Sequence, residues 1–596
     1  LSFVDAIFDR KTDTIHIAER INGQRHLKQL PVQHVFYCEH PTGQHRSIFG
    51  HTCRKYTFAS SQKFRRALMD ARDEKRRIFE SDINPVFRCL ADNYMGADVP
   101  VLNIGFFDIE ADFDAERGFA APEDPFNKVT AITLYRTADK KLLTWALCPQ
   151  SMPLEAAQKL AEGFSDTWVY DDERKLLEGF LEAIEDVDCI TGWNSGGFDV
   201  PYLVNRVARI IGKGATKRFC LWDQSPTERE YMNKFGRKVK TYDFVGRVHL
   251  DYIDLYIKHN TQQRLSYALN AIGEIEVGET KTPYAGTLDD LYKKDFRNFI
   301  EYNRQDVMLM VKIDEKNKFI ELANQIAHAN CVLLKTTMGS VALVEQAIIN
   351  EMHAMGRIVP DRKPREEDDR AAKIDPENEI DEMAERFIAA ADNDDEEDEK
   401  QPVVGAYVAQ PKKGLHEHIG AVDINSLYPS AIRALNMSPE TLVGQVRPTA
   451  TDQLIAERAA KLTATQRAEA WDGLFSIVEV QWMHDRTDDV MVVDFFDNLT
   501  GETTTREMTG AQLHDYVFDN RNGVCITANG TLFKTREFAG PHDKEGKEIS
   551  GMIPELLARW YADRKAMQKK AKEYGEMAAG VEIDAELAAL LQCGSG

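Results

Sequence analysis

From Val101 to about Lys318, short apolar runs alternate with segments whose apolar residues recur every three or four positions. That alternation predicts strands interleaved with amphipathic helices, an α/β layer. "VLNIGFFDIEADF" opens it, "KVTAITLYRT" and "KLLTWALCP" follow as neighbouring strands, and "FRNFIEYNRQDVMLMVKIDEKNKFI" closes it as helix. Residues 1 to about 100 mix short β-like runs with a charged helix near "SSQKFRRALMDARDEKRRIFE". Further on, "VVGAYVAQP" and "GAVDINSLYPSAIRAL" begin a new folded unit, in which "IGAV" leads into Asp423 as a strand end and Pro429 is placed to begin a helix. Strand-like runs "LFSIVEVQWM", "DVMVVDFFD" and "GVCITANGTLFK" carry this unit to about residue 550. "GMIPELLARWYADRKAMQKKAKEYGEMAAG" reads as one long helix broken near Gly580, and "VEIDAELAALLQ" as the start of a second. The fold class expected is therefore α/β and α+β, multidomain. No repeat of solenoid or propeller period is present.

The chain has 596 residues, room for about three to five domains. Its formal charge of −23 argues by itself against a nucleic-acid partner, because phosphate binding needs a basic surface. The excess is local, however. Residues 366–399 carry 17 acidic and three basic side chains, and the stretch 360–401 reads as a solvated linker or insertion too charged to bury anything. Basic runs stand elsewhere, "KFGRKVK" at 234–240 and "RKAMQKKAK" at 564–572; the first reads equally as a phosphate-contacting patch or a solvated helix face. Nine scattered cysteines without a C-x-x-C pair suggest neither a zinc site nor a disulfide framework, and fit a reducing, cytoplasmic compartment. No apolar run approaches the roughly 20 residues that span a bilayer, so no membrane partner is expected. The start, "LSFVDAIFDR", lacks the features of a signal peptide.

Three acidic stretches bear on chemistry. In "FFDIEADF", Asp108 and Glu110 are two apart on a strand, so they point the same way and lie close enough to share a cation. A D-x-E pair alone is weak, and a chance exposed pair explains it as well. Asp199, in "TGWNSGGFDVPYL", follows a Gly-rich turn and precedes a helix, where an ordinary N-cap is the plainer explanation. Tyr302 and Asp306, in "EYNRQDVML", are four apart and share one helix face. Together the stretches offer four carboxylates and a phenol for two metals. That is what phosphodiester hydrolysis requires, one metal activating water and the other stabilising the leaving oxygen. In this order they resemble the proofreading 3′–5′ exonuclease of DnaQ-like, RNase H-like fold.

"DINSLYPS" at 423–430 adds a second constellation, in which the turn before a helix presents N–H groups to phosphate. At this point the chain resembles a family B DNA polymerase of the replicative tailed-phage type, from about residue 1 to 592. "DINSLYPS" resembles that family's motif A. "FDIEADF", "WNSGGFD" and "YNRQD" resemble its exonuclease motifs, "GAYVAQP" lies where exonuclease joins polymerase, and "GMIPELLARWYADRKAMQKK" resembles the first fingers helix. The resemblance implies an N-terminal domain at 1–100 and an RNase H-like exonuclease at 101–320. A return segment with the acidic insertion 366–399 follows at 321–401. The first part of the palm takes 402–550, and the first fingers helix with the start of the second takes 551–596.

The resemblance also implies roles. Asp108, Glu110, Asp199 and Asp306 would bind the exonuclease metals, with Tyr302 assisting. Asp423 and the carbonyl of Ile424 would be polymerase metal ligands. The amides of Ser426 and Leu427 would contact the dNTP triphosphate, and Tyr428 would stack under the incoming sugar and exclude a ribose 2′-OH. Arg564 would grip the triphosphate from the fingers. The usual lysine four residues further is Gln568 here, with Lys569 beside it. The cofactor expected is Mg²⁺ at two-metal sites, with Mn²⁺ an alternative. Primer–template DNA and dNTPs are the expected partners.

The family's D-T-D and K-x-x-x-N-S-x-Y-G strings do not follow Asp423. Three explanations compete: a split polymerase whose remaining palm, fingers and thumb come from a C-terminal chain that also reaches a sliding clamp, an intein beginning near "CGSG", or a cropped sequence. The split reading is favoured, because severed palm and fingers would leave apolar faces needing a partner. A free-standing exonuclease with a palm remnant as docking platform is the rival function, and a non-catalytic nucleic-acid binder is disfavoured by the intact acidic set.

Overall fold

The computed structural model describes residues 2–232, 238–260, 262–284, 286–362, 413–420, 422, 426–447, 490–519, 521–527, 530–536 and 550–593, with side chains to 574 at the C-terminal end. The chain divides into two compact units, residues 1–45 with 52–398 and residues 46–51 with 399–596. The mixed α/β multidomain class is borne out.

A six-stranded sheet organises the first unit. Its order is Thr167–Tyr170, Lys141–Leu147, Val129–Arg136, Ile104–Ala111, Cys189–Gly192, Val248–Asp251. The expected neighbours form an antiparallel meander of Ile104–Ala111, Val129–Arg136 and Lys141–Leu147. Cys189–Gly192 then runs parallel to Ile104–Ala111, and Val248–Asp251 parallel to Cys189–Gly192. Parallel neighbours need crossovers, and the helices Glu173–Ala183 and Asp199–Ile210 lie in those connections.

The sheet is covered on both faces, and the alternation of Ile104–Ala111 sorts its side chains between them. Phe107 and Ile109 pack with Leu176, Phe180, Val200 and Leu203. Phe106 packs on the other face with Tyr252, Val307 and Met310. Asp108 and Glu110 share the parity of Phe106, and so face the long helix Phe296–Asn317. That helix stops earlier than its apolar pattern predicts. Lys318 adopts a left-handed φ of 53°, which no continuing helix accommodates, and a separate helix Phe319–Asn330 follows.

Residues beyond 319 return to the N-terminal region. Ala327, Cys331 and Val332 share a core with Phe3, Ile15, Val86, Phe87, Leu90 and Tyr94. The meander Phe3–Asp9, Thr14–Ile21 and Gln24–Pro31 is also fastened to the large sheet by charge. Asp188, fully buried, accepts from Arg20 at 2.8 Å, from Arg25 at 2.9 Å and from the Asn103 amide at 2.8 Å. A buried carboxylate is tolerable only when paired in this way.

The expected charged helix is shorter than its pattern. It spans Ser61–Asp73, and Ile78–Phe79 instead pairs with Tyr37 and Cys38 as a strand. The run "DEKRR" supplies no apolar residue to extend the buried stripe, so the chain leaves the helix there. Lys238 and Lys240 lie on a β-hairpin, Thr227–Met232 with Lys238–Asp243, and not on a helix face. Both are paired across it with Glu228 or Glu230.

The second unit carries an antiparallel sheet in the order Thr503–Thr509, Val490–Phe496, Leu442–Val446, Thr531–Lys534, Val524–Ile526. Val446, Met491, Val493, Leu513 and Leu532 form its core. "GVCITANGTLFK" is two strands rather than one, turned at Gly530 with φ 82°. Only glycine takes that conformation without strain. Three further expectations change. Ile419, Gly420 and Val422 form no strand, and Ile419 and Val422 are exposed, because no described strand pairs with them. The next helix is Leu427–Ala434, so Pro429 is its third residue and not its first; the first turn needs no proline N–H. Finally, Met552–Cys593 is one helix running through Gly580. A glycine costs a helix about 1 kcal/mol, and the surrounding Ala, Glu, Met and Leu offset it, so no second helix starts there. The acidic tract, "VVGAYVAQP" and "LFSIVEVQWM" lie outside the described residues.

Candidate active site

Two elements far apart in sequence build the acidic cluster. One is the strand carrying Asp108 and Glu110; the other is the helix Phe296–Asn317, where Tyr302, Asn303 and Asp306 lie within one turn. One carboxylate oxygen each from Asp108, Glu110 and Asp306 lies within 4.8 Å of the others. Asp199 stands beside this trio without being one of its three converging carboxylates. It is the first residue of its helix, with Phe198 at the cap position, and its Oδ1 accepts from the Ile109 amide at 3.2 Å. The strand between the two acids is thereby tied to the helix start.

Two participants are not evident from the sequence motifs. Asn303, fully buried, donates to Asp108 Oδ2 at 2.8 Å. Its signal was available, since it stands three residues before Asp306 on the same helix. Lys281 donates to Asp306 Oδ2 at 2.5 Å and to the Tyr302 hydroxyl at 3.2 Å. It lies outside the helices, in "GETKTPYAG", and nothing local distinguishes it from any other lysine. Tyr284 completes this side, edge-on to Tyr302 with ring centroids 5.3 Å apart.

Burial sets the electrostatics. It pushes Asp108 well above the usual carboxylate range, reinforced by the charges of Asp199, Glu110 and Asp306. Glu110 rises to about 8 through burial and the charge of Asp306, and burial takes Asp199 to about 7. Burial also raises Asp306, against the pull of Lys281. For Lys281 burial disfavours the charge, but Asp306 more than offsets it and the ammonium holds its proton more tightly. One oxygen of Asp306 is buried with no hydrogen-bond partner among the described residues. Crowded carboxylates with an unpartnered buried oxygen, all hard donors, fit a divalent cation such as Mg²⁺ or Mn²⁺, and Asp108, Glu110 and Asp306 would hold it.

A pH dependence follows. These raised carboxyls keep their protons in the folded chain where they would be ionised in the unfolded one. Without a cation, their contribution to stability is therefore full below the ordinary carboxylate range and declines as pH rises toward 8. A cation must displace those protons. Calorimetric titration with Mn²⁺ should give an affinity at least about tenfold weaker at pH 6 than at pH 8.5, with proton release at pH 7. An affinity level across that window would contradict the protonated cluster.

The residues expected at the second constellation are not gathered among the described residues. Asp423 and Ile424 lie outside them. Ser426, with a left-handed φ of 54°, precedes the helix on which Leu427 and Tyr428 are exposed. Arg564 and Lys569 are exposed on Met552–Cys593, with Lys569 3.9 Å from Glu573.

Residues 67–272 match the family model for DNA polymerase family B, exonuclease domain, and residues 331–488 that for DNA polymerase family B. The first stretch contains Asp108, Glu110 and Asp199; Tyr302 and Asp306 fall between the two. The DNA-directed DNA polymerase of Escherichia phage RB69 is 24% identical over 475 residues, covering 74% of this chain and 46% of that protein. That of Enterobacteria phage T4 is 25% identical over 470 residues, 73% and 46% respectively. DNA polymerase 2 of Aeropyrum pernix is 27% identical over 280 residues, 46% of this chain and 29% of that protein. The chain thus spans just under half the length of the two phage relatives.

Proposed function

We propose, from the premise that this chain belongs to DNA polymerase family B, that it carries the 3′–5′ exonuclease site of a DNA-directed DNA polymerase. The observation that supports this most is the convergence of Asp108, Glu110 and Asp306 within 4.8 Å, where a sheet face meets the helix Phe296–Asn317. In this reading Asp199 completes the set for two divalent cations, Mg²⁺ or Mn²⁺. When bound, such cations supply Lewis acidity to the phosphodiester and acidify a water for attack on it. The chain's own residues do the rest. The phenol of Tyr302, raised by burial, stays protonated at neutral pH and orients the attacking water by hydrogen bonding. Lys281 holds Tyr302 and Asp306 together and balances part of the anionic charge. Asn303 fixes the orientation of the Asp108 carboxylate.

For synthesis, Asp423 and Ile424 would ligate metal, Ser426 and Leu427 would cradle the triphosphate, Tyr428 would gate the sugar, and Arg564 with Lys569 would hold phosphate. The remaining palm, fingers and thumb would come from a C-terminal polymerase portion, a separate chain in the split reading, through which a sliding clamp is engaged. Primer–template DNA and dNTPs are the substrates. The test is a labelled primer–template assayed with the chain alone and mixed with that portion. Shortening from the 3′ end without it, and extension only on mixing, support the reading. Extension should disappear on Asp423→Ala while shortening persists. No extension under any mixture refutes the split arrangement.

A further inference from the structure

We infer that Asp251 is a positioning residue for the exonuclease reaction: it holds the loop 193–198 in the shape that delivers Asp199 to the acidic cluster. The inference rests on the exonuclease reading above. Asp251 ends the edge strand Val248–Asp251 and stands in register with Gly192, the last residue of the neighbouring parallel strand. The six residues after Gly192 turn into the helix that begins with Asp199. Their path is not one the backbone prefers unaided, since Asn194 sits at φ 60°.

The Asp251 carboxylate spans this loop. Its Oδ1 accepts from the Asn194 amide at 2.9 Å, and its Oδ2 accepts from the Gly196 amide at 2.8 Å. Oδ1 also accepts from the Ile253 amide at 3.1 Å, capping the helix Tyr252–His259. An aspartate alone among short side chains offers two oxygens set apart to accept from both loop amides. The approach is close. A Cβ placed on Gly196 would lie 3.2 Å from Asp251 Oδ2 and 3.2 Å from the Tyr231 hydroxyl. Two residues earlier on the same strand face, His249 Nε2 lies 2.9 Å from Ser195 Oγ, which donates to the Gly192 carbonyl at 3.1 Å. The edge strand thus grips three consecutive loop residues. The far end of the loop is held only a few residues away, where Asp199 accepts from Ile109 between the two acids of the strand. Slack in the loop passes directly to Asp199.

A helix cap alone would explain one of the three bonds, and serine separates the two roles. In Asp251→Ser, the hydroxyl still caps Tyr252–His259 but cannot reach both loop amides. Asp251→Asn keeps the size and loses one acceptor. The test is steady-state hydrolysis of 5′-labelled single-stranded DNA by the full chain, with Asp108→Ala as reference. Asp251→Ser should lower kcat about 10- to 100-fold, with KM within about twofold and the melting temperature within about 3 °C. Asp251→Asn should fall between it and the unmutated chain. Amide hydrogen exchange supplies a readout independent of turnover: Asn194 and Gly196 should exchange slowly in the unmutated chain and faster in Asp251→Ser, while Val204 and Val207 stay protected. Unmutated kcat in both variants, activity lost only in step with folded protein, or rapid exchange at both amides in the unmutated chain would each overturn the inference. An active Asp108→Ala chain would instead sink the exonuclease reading itself.

Discussion

Replacing Asp108 and Glu110 together by alanine should abolish removal of nucleotides from DNA 3′ ends, by about a thousandfold or more, while leaving the chain folded. The magnitude follows from losing two of the three carboxylates gathered within 4.8 Å. Cation stabilisation of a transferring phosphoryl group is worth several kcal/mol, and about 4 kcal/mol is a thousandfold in rate. The fold should survive because at pH 8.5, with no cation bound, these groups weaken it rather than stabilise it. Both are raised by burial and by like charge, so ionising them inside the chain is unfavourable. Linkage gives the sign: with folded values above the unfolded ones, they weaken the folded state increasingly as pH rises toward 8. The cation-free double variant should therefore melt at or above the temperature of the unmutated chain at pH 8.5, and should lose the upward shift that Mn²⁺ gives the latter. Quantitative digestion of a 5′-labelled oligonucleotide and a melting curve with and without Mn²⁺ check both halves. Undiminished digestion would refute the assignment of the metal ligands.

Lys281→Ala should lower exonuclease turnover about 100-fold and move the acidic limb of its pH profile upward. The ammonium is 2.5 Å from Asp306 and 3.2 Å from the Tyr302 hydroxyl, and it lowers the proton affinity of Asp108, Glu110 and Asp199 as well. Removing it leaves Asp306 buried beside other carboxyls with no organic cation, so every member of the cluster holds its proton to higher pH. Loss of one preorganised donor from an active site typically costs about 10²–10³-fold. Lys281→Arg keeps the charge but not the compact ammonium geometry, and should recover part of the rate and most of the pH profile. Turnover measured from pH 6 to 9.5 decides the matter. An acidic limb unmoved in Lys281→Ala would remove Lys281 from the electrostatics of the site.

Local chemistry accounts for what could be read ahead of the fold. The D-x-E spacing on an apolar strand put Asp108 and Glu110 on one face, and the four-residue spacing put Tyr302 and Asp306 on one helix face. Those periodicities belong to the backbone, so they held. One expectation failed because a longer-range contact outweighed a local pattern. Ile78 and Phe79 left a helical run to pair with Tyr37 and Cys38. The apolar residues before Asp423 found no described partner strand. Gly580, weighted as a breaker, sits among residues whose helix propensity absorbs its cost.

The sequence alone determined the class of the protein, its resemblance to family B polymerases, the order of its acidic motifs and the residue types able to bind a hard cation. Those properties are carried by spacing and side-chain chemistry within short windows. Only the tertiary structure decided which carboxylates meet, that Asp199 stands beside the trio rather than within it, that Lys281 closes the cluster, and that Asp251 grips the loop leading into Asp199. Each of these joins segments from about 25 to nearly 200 residues apart, and the distance between such segments is set by how sheet and helices pack, which no local pattern encodes.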